Sequence, residues 1–127
     1  MILSLLALVA LAVVGHRIRS RPKWDEFDPT KLPGAWTVVA FSSDGCYACV
    51  EQQKVFAQLK PEYQGQVRLW QVDVYKAYDR AVAYGIPIRV VPTLVFFDPD
   101  GEIVRIHEGY LLAQEIRDVL AVFRGTI

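Results

Sequence analysis

Cys46 and Cys49 stand three positions apart in the run Ser42-Ser43-Asp44-Gly45-Cys46-Tyr47-Ala48-Cys49, and the 127-residue chain carries no other thiol. Three chemistries use such a pair: half of a metal site, a structural disulfide, or a dithiol that opens and closes. A bridge between residues this close encloses a tiny loop and restricts the unfolded chain very little, and a secreted disulfide scaffold carries several pairs. A closed zinc site needs four ligands, and His16 and His107 are the only histidines that could join the pair. A redox dithiol is therefore the leading reading. A carrier of a soft metal such as copper, using the same two thiols with His107, stands as the alternative.

The flanking residues indicate how the pair is held. Trp36-Thr37-Val38-Val39-Ala40-Phe41 is a short β-rich run suited to a strand buried on both faces. From Cys46 to Lys60 the composition turns helical, with Val50, Phe56, Ala57 and Leu59 available for packing and Pro61 as the stop. Cys46 thus falls where a strand ends and a helix begins, beside unpaired N–H groups and the positive end of the helix dipole, which favour a thiolate. Cys49 lies one turn further on the same face. Such a geometry separates an attacking sulfur from a resolving one. Asp44 reads as a helix cap or a solvated residue, or as a like charge opposing the thiolate. Tyr47 reads as an exposed contact for a partner, or as a structural residue.

A second strand is expected over Val67–Val74 and a short helix over Ala77–Tyr84, closed by Gly85. Asp73 reads as a strand-end residue or a proton-handling group. Val90–Phe97 forms an apolar strand entered through Pro92, Asp98–Gly101 a turn, and Glu102–His107 the return arm of a hairpin. Leu112, Ile116, Val119, Leu120 and Phe123 mark one face of a last helix. Trp70, Phe96 and Phe97 are core candidates. The order is βαβα followed by ββα, which predicts an α/β fold with a mixed central sheet flanked by helices.

With a Cys-x-x-Cys after the first buried strand, Val91-Pro92-Thr93 opening a later strand, then a hairpin and a terminal amphipathic helix, the segment from Trp36 to Phe123 resembles the thioredoxin family. The run from Tyr84 to Tyr110 is similar to bacterial membrane-tethered or exported thioredoxin-like proteins. The resemblance implies a thiol–disulfide oxidoreductase that needs no cofactor, with Cys46 as nucleophile and Cys49 as resolving thiol. It also implies a cis Val91–Pro92 bond beside the dithiol, where Val91, Pro92 and Tyr47 meet an extended substrate. Protein disulfides are the implied substrates, and a reductase or a membrane electron donor is the implied partner. The chain departs from thioredoxin at Gly45, where that protein has tryptophan; at Tyr47-Ala48, where it has Gly-Pro; and at Ala40, where it has a buried aspartate. Pro87-Ile88 reads as an insertion. Without the carboxylate, proton transfer at Cys49 must use water or another group.

Lysine plus arginine and aspartate plus glutamate both number 14, so no global field recruits nucleic acid. The first fifteen residues, MILSLLALVALAVVG, are uncharged and are followed by Arg17, Arg19, Arg21 and Lys23. The run is short for a span of roughly 20 residues, although Ile18 and snorkelling arginines extend it. A signal-peptide core with a cleavage site near Ala10-Leu11-Ala12 is the other reading. The expected organisation is an N-terminal membrane anchor over 1–20, a tether over 21–34 and a redox domain over 35–127. Cations after the run and none before it place that domain on the cytoplasmic side, while the resemblance suggests the extracytoplasmic side.

Overall fold

Side chains alternate along β1 (Trp36–Ser42): Val38 and Ala40 enter one hydrophobic cluster, and Val39 and Phe41 the other. Strand pleating makes that alternation inevitable, and it is stable only if both faces of the sheet are covered. The computed structural model describes residues 24–125. The remaining elements are α1 (Tyr47–Tyr63), β2 (Val67–Asp73), α2 (Val74–Ala83), β3 (Thr93–Phe97), β4 (Ile103–Glu108) and α3 (Ala113–Arg124). The strand order is β2-β1-β3-β4, with β1 and β2 parallel and the other pairs antiparallel. The mixed sheet expected from the βαβ and hairpin patterns is therefore present. α1 and α3 cover one face through Val55, Phe56, Leu59, Ile116 and Leu120; α2 covers the other through Val74, Ala77 and Ala81.

Several boundaries differ from the expectation. α1 continues through Pro61 to Tyr63. The proline removes one N–H in the last turn, where Tyr63 packs on the core and the Gln64 N–H returns to the Lys60 carbonyl at 3.1 Å. The buried face of α1 is Cys49, Gln52, Val55, Phe56 and Leu59, whereas Val50 and Ala57 are exposed. α2 begins at Val74, because the Asp73 carboxylate accepts the Tyr75 N–H at 2.9 Å and caps it. β3 begins at Thr93, after a proline that brings no N–H to the ladder. Phe96 and Phe97 are core residues as expected; Trp70 is half-buried, with the Arg68 guanidinium 5.3 Å from its ring centroid. Leu112 and Phe123 are exposed, and α3 buries Ile116 and Leu120.

Residues 24–34 belong to the stretch expected to be a tether, and they pack into the domain. Phe27 and Leu32 are fully buried, Phe27 edge-on to Phe41 with ring centroids 5.1 Å apart. Burying one such side chain stabilises the fold by about 1.5–3 kcal/mol. Asp25 bridges to Val72 at the edge of β2, and the Arg68 guanidinium donates to the carbonyls of Lys31, Leu32 and Pro33. The anchor expected over 1–20, with His16 and the cleavage pattern, lies outside the described residues. No helix among the described residues is long and apolar enough to cross a membrane.

Candidate active site

β1 ends at Ser42, and Ser43-Asp44-Gly45 carries the chain to the first turn of α1. Gly45 has φ +75°, a left-handed conformation that a side chain adopts at a cost, so the residue ahead of the first cysteine is glycine for a backbone reason. Cys46 is itself the N-cap of α1: its backbone is extended, and its Sγ accepts the Cys49 N–H at 3.2 Å. The cap expected at Asp44 is thus supplied by the cysteine sulfur, and Asp44 is exposed. A sulfur in that position meets both an orphan N–H and the helix dipole. The Cys46 and Cys49 sulfurs are bonded to each other, with Cα atoms 5.2 Å apart. Cys49 is 1% exposed, Cys46 is partly open, and Tyr47 between them is 79% exposed.

The Val91–Pro92 peptide is cis, as the resemblance implied, and the Val91 carbonyl oxygen lies 3.8 Å from Cys46 Sγ. The Thr93 hydroxyl donates to the Val90 carbonyl at 2.6 Å, and the Gly109 N–H donates to the Pro92 carbonyl at 2.8 Å, so the approach to β3 is tied on both sides. Cys46, Cys49, Tyr47, Val91 and Pro92 therefore meet at one end of the sheet. His107, expected as a third ligand in the metal alternative, pairs with Leu94 in the hairpin. Among the described residues no group of three or more His, Cys, Asp or Glu side chains could hold a metal ion.

Two glutamines that sequence reasoning missed hold the second cysteine in place. The buried Gln71 side chain donates from Nε2 to the Cys49 carbonyl at 2.9 Å and to Ser42 Oγ at 3.2 Å. The buried Gln52 exchanges two hydrogen bonds with the backbone of Leu111, at 3.0 and 2.9 Å, and so pins α1 to the loop before α3. A glutamine on the buried stripe at Cys49, Gln52, Val55, Phe56 and Leu59 was the available signal, since an amide is buried only with its partners present. Ala40 is fully buried, and among the described residues the buried polar ones are Thr37, Ser42, Gln52, Gln71 and Thr93, none of them ionisable. Hydrogen bonds from Thr30 hold the Asp28 carboxyl below its usual range, those from Arg117 do the same for Glu62, and burial pushes the Tyr84 phenol up; all three lie away from the dithiol.

The family model described as the thioredoxin-like domain matches residues 25–124. The chain belongs to that family. The match begins at Asp25, which agrees with the packing of Phe27 and Leu32. Thioredoxin C-2 of Corynebacterium nephridii is 39% identical over 67 residues, which make up 53% of this chain and 59% of that protein. Among solved structures, chloroplastic thioredoxin z superposes with a TM-score of 0.62 at 22% identity, covering 72% of this chain and 80% of its own. Thioredoxin-2, a component of the malaria parasite protein secretion machinery, gives 0.59 at 19% identity, covering 72% and 82%. At these identities the superpositions establish the thioredoxin-like fold.

Proposed function

We infer that this thioredoxin-like domain is a thiol–disulfide oxidoreductase acting on protein disulfides, with Cys46 as nucleophile and Cys49 as resolving thiol. The observation that carries the reading is the inequality of the two sulfurs: one caps a helix at the surface, and the other is buried behind it. In the reducing direction the Cys46 thiolate attacks one sulfur of a substrate disulfide. A Cys46–substrate bond forms, the substrate S–S bond breaks, and the departing thiolate takes a proton. The Cys49 thiolate then attacks Cys46 Sγ, which forms the internal disulfide and releases the second substrate thiolate. Two electrons have moved to the substrate, and a reductase or membrane donor restores the dithiol. Reversal of the same steps oxidises a substrate, so the partner's potential sets the direction. The Val91 and Pro92 backbone and Tyr47 offer the surface against which an extended substrate lies. Among the described residues no carboxylate is buried, so the Cys49 proton passes to water or to another group.

Trapping tests the roles. Cys49→Ser attacks a disulfide substrate and accumulates as a mixed disulfide on Cys46, whereas Cys46→Ser forms none. Equal trapping by the two variants contradicts the assignment. The soft-metal carrier predicts instead stoichiometric copper binding by the reduced chain and no catalytic exchange, and titration of the same preparation distinguishes the two.

The apolar run over 1–15 followed by cations supports anchoring in a membrane, and the charges after the run favour a cytoplasmic redox domain. An impermeant thiol reagent, applied to intact cells after gentle reduction, labels Cys46 only upon lysis if that placement is right. Strong labelling before lysis places the domain on the extracytoplasmic side, where a dedicated membrane donor has to keep it reduced.

A further inference from the structure

Beside the dithiol a groove of about 510 Å³ opens between α2 and the segment leading to Pro92. Its walls are Val74, Tyr75 and Tyr78 on α2 and Ile88, Val90 and Val91 opposite, with Ser43 at the end nearest the cysteines. The Val91 carbonyl touches Cys46 Sγ, so this groove is continuous with the place where exchange occurs. Tyr75 is 83% exposed, Tyr78 50% and Val90 44%, a grouping of large side chains in water that packing within the domain does not explain.

The charges at the rim are unequal. Arg89 is turned to Glu108, donating from Nε at 3.0 Å and from Nη2 at 2.5 Å, and its charge is answered there. Asp79, which also lines the groove, has no ion-pair partner among the described residues. The groove is thus apolar along its walls and negative at one edge.

We propose that this groove selects protein substrates in which an aromatic or large aliphatic side chain, followed by lysine or arginine, lies within a few residues of the reactive cysteine. The occupant is an extended segment that continues from the Val91 backbone, its bulky side chain between Tyr78 and Ile88 and its cation against Asp79. The inference rests on the dithiol reading above and adds the substrate class to it. In each turnover the peptide disulfide takes two electrons and two protons from Cys46 and Cys49, which become the internal disulfide.

The test uses the reduced full-length chain and synthetic peptides with one internal disulfide, identical except for Phe-Lys, Gly-Lys or Phe-Glu beside a cysteine. Phe-Lys reacts about tenfold faster than Gly-Lys, the benefit of burying a large apolar side chain. Tyr78→Ser and Ile88→Ser remove that advantage while leaving the Gly-Lys rate and the reduction of bis(2-hydroxyethyl) disulfide unchanged. Asp79→Asn removes the preference for Lys over Glu, and added salt weakens it in the parent chain. Equal Phe-Lys and Gly-Lys rates, with the small disulfide still reduced, overturn the proposal and leave the dithiol reading intact. An independent arm needs no exchange: a Phe-Lys peptide with serines for cysteines shifts the NMR resonances of Tyr75, Tyr78 and Ile88. Absence of those shifts overturns the proposal, as does a concentration-dependent dimer abolished by Tyr78→Ser, which marks the groove as a contact between two copies.

Discussion

Two strand-to-helix junctions lie side by side at one end of the sheet, since Ser42 at the end of β1 pairs in register with Asp73 at the end of β2. Both must satisfy the orphan N–H groups of a helix start, and they do so with different atoms. At the second junction the chain passes from Asp73 directly into α2, and a carboxylate oxygen accepts the Tyr75 N–H at 2.9 Å. At the first, Ser43-Asp44-Gly45 intervenes, and a sulfur accepts the Cys49 N–H at 3.2 Å. The carboxylate is not a nucleophile for a disulfide. The sulfur is an anion only when reduced and deprotonated, and the three added residues carry it to the Val91 carbonyl. One local solution to helix capping therefore yields a structural joint in one place and a reactive group in the other.

Making the two junctions alike has the largest expected effect. Cys46→Asp installs the α2 cap at the start of α1, and exchange should fall by at least about a thousandfold, because the nucleophile is gone. The fold should survive, with denaturation stability within about 1 kcal/mol of the reduced parent, since aspartate is a good N-cap. Unfolding of this variant breaks the comparison, for it means that the sulfur does more for α1 than cap it.

The converse change is smaller. Asp73→Ala leaves the Tyr75 N–H without its side-chain acceptor and should cost about 1 kcal/mol in urea denaturation, while Asp73→Asn recovers most of it. Reduction of a small disulfide should be unaffected by either variant. A large loss of exchange with Asp73→Asn points to the proton-handling role instead.

The smallest effect concerns a third cap. Asp28 accepts the Thr30 N–H at 3.0 Å ahead of the short 3-10 turn Pro29–Lys31, and the Thr30 hydroxyl and N–H that donate to it lower the carboxyl pKa from 3.8. A lowered folded pKa means that the stabilisation is present above the unfolded value and is lost as pH falls through the folded one. Thermal midpoints of the parent and Asp28→Asn should therefore differ most near neutral pH and converge as pH falls through the lowered folded value, the gap staying small because this group is exposed. A gap that persists in acid shows that charge is not what Asp28 contributes.

Much of this was legible because it is local. The β-rich apolar run from Trp36 to Phe41, the turn at Asp98–Gly101 and the position of Cys46 between strand and helix are short-range consequences of residue type. The α1 face was misread at Val50 and Ala57 because Gln52 holds a core position that a hydrophobic pattern leaves blank. Residues 24–34 were read as tether because Pro29, Pro33 and scattered charges mask Phe27 and Leu32, whose burial depends on Phe41 and Arg68 far along the chain.

The sequence by itself determined the dithiol, its place at a helix start and the βαβα-ββα order, because each rests on neighbours within a few positions. Tertiary structure alone decided that Val91 meets Cys46 across 45 residues, that Gln71 and Gln52 lock the helix that carries Cys49, and that α2 and the Ile88 loop form a groove beside the sulfurs. Those contacts exist only once the sheet has paired β1 with β2 and β3. Hydrophobic burial, which drives that pairing, is not directional, so the polar contacts that refine it cannot be read from local pattern.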